Sequence, residues 1–255
     1  MAGDPIVLVG GLAAWPGRYR SLAQSLHEIS GAEVYTAPIT PLDWLLGRLR
    51  GYGQLVFEVA SVVDRALLES ESDKAVLVGH SMGGIACRIY LGGDPPFGGR
   101  RYSGYRRVRR LITLGTPHLV AKENLTLISR VNDYFPGTLH EPAGLEYLSV
   151  AGAGADGATS ARVRRRYERL VEDGRVAGDG VVPVESALLP GSEALVLDDL
   201  YHNGFYGRWY GSDLAAVERW WPGDLRLNAN LVGERRAQSR LRTPSHTTRR
   251  GEDAG

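Results

Sequence analysis

The sequence predicts an α/β protein with a mostly parallel central sheet of about six strands, flanked by helices. Two observations carry this. Strand-length apolar runs recur along the chain and are continuous rather than alternating, as in strands buried on both faces. Between them lie segments whose apolar residues recur at helical spacing, and a repeated strand–helix rhythm places helices over a parallel sheet.

The elements follow in order. Ile6-Val7-Leu8-Val9 is the first run and ends in Gly10-Gly11. Pro16 to Ile29 sets Leu22, Leu26 and Ile29 on one helical face. Glu33-Val34-Tyr35 is a short run before Pro38. Leu55 to Leu68 carries a stripe through Val59, Val62, Val63 and Ala66. Ala75-Val76-Leu77-Val78 ends in Gly79, and Met82 to Tyr90 reads as the helix after it. Leu111 to Leu114 ends in Gly115, Leu145 to Val150 in Ala151-Gly152, and Leu195-Val196-Leu197 near Asp198. A late helix is expected over Asp213 to Trp221, stopped by Pro222.

Three segments break this rhythm. Residues 41–53, with Trp44-Leu45-Leu46 among turn residues, and residues 118–144 are expected to be cap or lid insertions. Asp156 to Val176 holds Arg162, Arg164, Arg165, Arg166 and Arg169 and reads as an exposed helix. The expected division is a catalytic domain over 1–222 and a basic, disordered tail over 223–255, rich in Arg, Ser, Thr and Gly.

Composition excludes several classes. The 255 residues carry 30 Lys plus Arg against 29 Asp plus Glu, so the chain is no polycation built to coat nucleic acid. A single cysteine, Cys87, rules out an internal disulfide; on an apolar helix it reads as a small buried hydrophobe. No run approaches the roughly 18 apolar residues of a membrane span. Met1 to Pro5 lacks the basic start of a signal peptide, so the expected compartment is the cytoplasm. Asn124-Leu125-Thr126 matches a glycosylation sequon without an export signal. No Cys/His cluster or phosphate loop stands out, and neither metal nor cofactor is expected. The basic run at Arg100, Arg101, Arg106, Arg107, Arg109 and Arg110 reads as a solvated loop rather than a nucleic-acid or anionic-lipid surface.

The chemistry concentrates in Gly79-His80-Ser81-Met82-Gly83-Gly84. This is G-x-S-x-G after a buried strand and before a helix, the context of a nucleophile elbow. A serine on so sharp a turn projects its hydroxyl above the sheet edge, and small residues two before and two after let the turn close. The helix start turns free N–H groups and its positive end toward the site, favouring an oxyanion. A serine nucleophile needs a base and an orienting acid, expected in the chain order Ser, Asp or Glu, His. His202, just past the last strand, is preferred over His118, His140 and His246. Asp179, between two glycines, is preferred over Asp156 as the acid. The backbone N–H groups of Met82 and Leu12 are the expected oxyanion donors, the latter in the loop after the first strand. His80, beside the serine, is expected to pack near the elbow rather than act as a second base.

With Val9-Gly10-Gly11-Leu12, Leu114-Gly115-Thr116-Pro117-His118, Gly178-Asp179-Gly180-Val181-Val182-Pro183 and His202 added, the chain from about residue 6 to 220 resembles an α/β-hydrolase of the bacterial lipase and esterase branch. The resemblance implies a Ser81, Asp179, His202 triad and a His118 loop that leads into a cap. It also implies a sheet reduced by its first two strands. Gly10 departs from the pattern: lipases usually carry a loop-bracing histidine there. The expected activity is hydrolysis of an acyl ester of lipid type through an acyl-enzyme. Trp44-Leu45-Leu46 and Leu119 to Phe135 are candidates for an apolar acyl pocket. The expected partner is a small acyl ester or lipid, with transient membrane-surface contact conceivable and no nucleic acid. A thioesterase, an acyltransferase using the same triad, or an idle binding scaffold are the alternatives.

Overall fold

The computed structural model describes residues 3–12, 14–120 and 126–227. Its centre is a six-stranded sheet made of β1 (Ile6–Val9), β2 (Val34–Thr36), β3 (Ala75–His80), β4 (Val108–Leu114), β5 (Glu146–Gly152) and β8 (Glu193–Leu197). The order is β2-β1-β3-β4-β5-β8 and every pairing is parallel. The two-residue strands β6 (Ala155–Asp156) and β7 (Ala177–Gly178) form a separate antiparallel pair.

Alternate residues along each strand serve opposite faces. Val7, Val9 and Leu77 pack under α3 (Gly53–Ser70), α4 (Met82–Leu91) and α5 (Thr126–Tyr134). Ile6, Leu8, Val76 and Val78 pack under α1 (Arg20–Ser30) and α7 (Leu214–Glu218), with Trp220 and Trp221. Burial on both faces is why the strands read as unbroken apolar runs. Each buried Leu, Ile or Val contributes about 1.5–3 kcal/mol over leaving it in water. Cys87 lies fully buried on α4, and burial pushes its thiol pKa up.

Several sequence expectations are corrected. Residues 41–53 hold a helix rather than a turn-rich loop. Thr40 and Asp43 form a reciprocal capping box, with Pro41 at the first turn, and start α2 (Pro41–Arg50). The turn-like residues that suggested a loop are helix-start signals. Trp44 is buried in the core beside Tyr52, while Leu45 faces solvent. The segment 156–176 is no free exposed helix: α6 (Ala161–Tyr167) buries Tyr167 against the Asp179 loop, where its hydroxyl accepts from the Gly180 N–H at 2.8 Å. The late helix stops at Glu218, because Trp220 and Trp221 turn into the core. Order continues past residue 222: Gly223–Leu225 is a 3-10 turn, and the Leu227 N–H donates to the Ile29 carbonyl at 2.9 Å. Residues 228–255, with His246, and most of the 124–126 sequon lie outside the described residues.

The basic run is largely paired with carboxylates: Arg101 with Asp94, Arg107 with Asp64, Arg109 with Asp4, and Arg110 with Glu146 and Asp224. Among the described residues no helix is long and apolar enough to cross a membrane.

Candidate active site

Ser81 joins β3 to α4 at φ 54° and ψ −131°, conformational territory that a residue with a side chain rarely adopts. Glycines make the turn possible. A Cβ on Gly79 would lie 2.5 Å from the Gly84 Cα, one on Gly83 would overlap the Val9 carbonyl oxygen, and one on Gly84 would overlap the Thr116 hydroxyl. β1 and the elbow are thus in backbone contact, and the Thr116 side chain lies against the elbow at Gly84. Gly11 runs against the nucleophile: a Cβ there would stand 3.2 Å from Ser81 Oγ.

The Ser81 hydroxyl donates to His202 Nε2 at 3.0 Å. The other ring nitrogen, Nδ1, donates to Asp179 Oδ2 at 2.7 Å. The carboxylate is an acceptor, so this geometry sets the histidine tautomer and leaves Nε2 free to take a proton. Asp179 is 1% exposed and fully engaged. Its Oδ1 accepts from the Val181 and Val182 N–H groups at 3.0 and 2.7 Å, and Oδ2 also accepts from the Tyr210 hydroxyl at 3.0 Å. Tyr210 in turn accepts from the Gly152 N–H at 2.8 Å, and burial raises its pKa. Asp156, the rival acid, is exposed and its carboxylate accepts from the Ala158 N–H. Serine follows the third strand of the chain, the acid sits between β5 and β8, and the histidine follows β8, all on one parallel sheet. The chain has the α/β-hydrolase fold.

Gly10 stands where the lipase pattern has histidine, and the structure shows what takes its place. The Tyr19 ring fills that space; a Cβ on Gly10 would lie 2.5 Å from it. The Gly11 N–H donates to the Tyr19 hydroxyl at 2.8 Å, and that hydroxyl meets His80 Nδ1 at 2.8 Å. His80 Nε2 meets the His202 carbonyl at 2.9 Å. A carbonyl only accepts, so Nε2 carries the hydrogen and Tyr19 donates to Nδ1. Burial lowers the His80 pKa to about 3, which keeps the ring neutral, and raises that of Tyr19 to about 12. His80 is therefore a link between the first-strand loop and the His202 loop. Tyr19, His80's bridging role and Tyr210 escaped the sequence reading. Only the unusual Gly10 hinted that something else must brace the loop.

Ser81 and His202 line a cavity of about 780 Å³. Leu12 and Met82 line it too, and neither backbone N–H has an acceptor among the described residues. The first N–H groups of a helix have no intrahelical partner, so Met82 is available to a ligand oxygen. The apolar wall comes from Met82, Pro117, Ile128, Leu170, Val181 and Val182. Trp44-Leu45-Leu46 takes no part, which corrects the expected acyl pocket. Among the described residues of the Leu119 to Phe135 stretch only Ile128 lines the cavity, while Leu127, Val131 and Phe135 are core residues. Arg166 of α6 and Arg169 and Leu170 of the turn after it also line the cavity. His118 is fully buried away from the site, bonded to Thr113 and Arg88, and burial holds its pKa well below the usual histidine value. Among the described residues no group of three His, Cys, Asp or Glu side chains converges as metal ligands.

No family model matches the sequence, and no curated protein matches it. Similar solved structures include the pyrethroid hydrolase PytH, 23% identical over 46% of this chain and 41% of that one, with a TM-score of 0.32. The product of lin2722 from Listeria innocua is 17% identical over 78% of this chain and 87% of its own, with a TM-score of 0.44. The α/β-hydrolase MGS-MChE2, from the metagenome of sediments of the Mar Chica lagoon in Morocco, is 15% identical over 94% and 92%, with a TM-score of 0.42. The chain spans about two fifths of the length of the pyrethroid hydrolase it matches.

Proposed function

We propose that the protein is a serine hydrolase of carboxylic esters acting through an acyl-enzyme, with an acyl ester of lipid type as substrate. The observation that carries this reading is the unbroken hydrogen-bond chain from Asp179 through His202 to a Ser81 hydroxyl at the wall of a cavity. The steps follow from the geometry. Ser81 Oγ attacks the ester carbonyl while His202 Nε2 takes its proton. The carbonyl oxygen becomes an oxyanion and receives the Met82 and Leu12 N–H groups. Collapse breaks the bond to the alcohol, which leaves with the proton held by His202. A water molecule then gives its proton to His202 and attacks the acyl-enzyme; the acid departs and the proton returns to Ser81. Asp179 holds the imidazole and stabilises its charged form. The acyl chain rests against Ile128, Leu170 and Val182.

Treatment with a fluorophosphonate probe, followed by peptide mass mapping, tests the nucleophile. The expected result is one adduct on Ser81, abolished in Ser81→Ala. Turnover of p-nitrophenyl esters of rising chain length tests the substrate class. No adduct on Ser81 refutes the nucleophile, and hydrolysis of acetate alone refutes the lipid-type chain.

A further inference from the structure

We propose that Arg18, Arg166 and Arg169 form an anion-binding rim around the Ser81 cavity, and that its substrate is an acyl ester carrying a carboxylate, phosphate or sulfate. This rests on the ester-hydrolase reading above and narrows it to a substrate class.

Three arginines line one concave cavity, and among the described residues no Asp or Glu lines it with them. None of the three has a carboxylate at ion-pair distance among the described residues. Elsewhere Arg107, Arg109, Arg110, Arg208 and Arg219 each meet a carboxylate of the protein itself, while others such as Arg48 and Arg65 meet none among the described residues; what sets Arg18, Arg166 and Arg169 apart is that they share one concavity. Charge at the cavity is therefore left for a ligand to balance.

Two of the heads are held in place. The Arg18 guanidinium lies 4.4 Å from the centroid of the Phe205 ring, and that of Arg166 lies 5.1 Å from the Tyr206 ring. Arg166 also donates through Nη1 to the Gly180 carbonyl at 2.9 Å. Stacking on a ring occupies the flat face of a guanidinium and leaves its edge N–H donors open, the geometry that takes a planar or tetrahedral anion through two bonds at once. Phe205 and Tyr206 follow His202 after Asn203 and Gly204, so the loop that presents the base also carries the ring supports for the cations. Phe205 is 77% exposed, and its ring serves Arg18 rather than the core. Beneath this rim the cavity is apolar through Met82, Ile128, Leu170 and Val182. A cationic rim over an apolar floor fits an amphiphile: an acyl chain below and an anionic group at the opening. Confinement to a concavity favours a small anion over an extended polyanion.

The first test is equilibrium binding to Ser81→Ala protein by calorimetry, with hexyl phosphate, hexanoate, hexan-1-ol and inorganic phosphate as probes. Hexyl phosphate and hexanoate should bind roughly tenfold or more tightly than hexan-1-ol, the effect of one bond to a charged group. Hexyl phosphate should also bind more tightly than inorganic phosphate. The preference should fall toward one in Arg166→Gln/Arg169→Gln protein, and shrink in unmutated-rim protein as salt rises from about 0.02 M to about 0.5 M. The salt arm keeps the test valid if the arginine variant folds poorly.

The second test is hydrolysis by the native protein of two matched pairs. One is the mono-p-nitrophenyl ester of glutaric acid against p-nitrophenyl pentanoate; the other is 4-butanoyloxybenzoate against its methyl ester. A higher kcat/KM for the anion in either pair, lost in the arginine variant, supports the rim. Equal rates in both pairs with equal binding of hexyl phosphate and hexan-1-ol overturn it. If Ser81 takes no fluorophosphonate yet hexyl phosphate binds selectively, the hydrolase reading falls and the rim stands. If Ser81 labels without any preference for anions, the reverse holds.

Discussion

Replacing Tyr19 by phenylalanine removes one oxygen and disconnects two loops. The Tyr19 side chain is 2% exposed, and its hydroxyl accepts from the Gly11 N–H and donates to His80 Nδ1, both at 2.8 Å. Phenylalanine keeps the ring that packs over Gly10 but leaves both partners buried without a bond. An orphaned buried polar group costs about 1–3 kcal/mol, so two together cost about 2–4 kcal/mol once some relaxation is allowed. At roughly 2–4 °C per kcal/mol for a domain of this size, Tm falls by about 5–15 °C. On the proposed reading activity falls as well, because Gly11 positions the neighbouring Leu12 N–H, the proposed oxyanion donor. An oxyanion donor is worth about 3 kcal/mol, and a loosened one forfeits part of that, roughly tenfold in kcat with KM little changed. Thermal denaturation and kcat and KM on p-nitrophenyl butanoate measure both effects. A Tm within about 1 °C of the parent refutes the buried-bond argument. A lower Tm with unchanged kcat confines Tyr19 to structure and refutes its coupling to the Leu12 donor.

Asp179→Asn should lower kcat by about 10³–10⁴, since an amide cannot accept all four of the donors that face this carboxylate and the wrong histidine tautomer results; steady-state kinetics decide, and near-parent turnover removes Asp179 from the triad. Gly115→Ala should destabilise the protein and depress kcat, because Gly115 sits at φ 52° and a Cβ there would lie 2.5 Å from Asp179 Oδ2; a soluble, fully active variant contradicts that crowding. Stability should fall as pH falls. His80 and His118 are neutral in the folded protein, with pKa values lowered by burial, His80 to about 3, whereas unfolded histidine takes a proton near 6.5. Between those values the unfolded chain binds more protons, so stability present above 6.5 declines by up to about 1.4 kcal/mol per pH unit for each histidine. Urea midpoints from about pH 7 to about pH 5 should show the decline, and a flat profile refutes neutral burial.

The sheet was legible because strands buried on both faces leave continuous apolar runs, and the elbow because Gly79, Gly83 and Gly84 are demanded by backbone contacts that no larger residue survives. Ser81 could be nominated from its G-x-S-x-G context, and Asp179 and His202 from chain order and their neighbouring residues; the structure brings their side chains together. The cavity walls were not legible. Thr40-Pro41 and Asp43 look like a turn until one sees that they cap a helix, which misdirected the acyl pocket to Trp44. The arginines of α6 looked like a solvated face, since nothing local reveals that Tyr167 anchors that helix beside the site. Tyr19 and His80 lie 61 residues apart, and a hydrogen bond across that separation leaves no trace in periodicity.

The twisted backbone at residue 81 has a further consequence. Holding a side-chain-bearing residue at φ 54° costs about 1–3 kcal/mol, which glycine would largely avoid. The position that carries the proposed nucleophile is therefore one where the native residue is not the most stabilising choice. Under pressure for heat resistance alone, drift would favour Gly at this point and yield a sturdier but inert protein. Melting temperature and catalytic competence are opposed here, so a thermal-shift ranking of variants at the elbow should run against their usefulness.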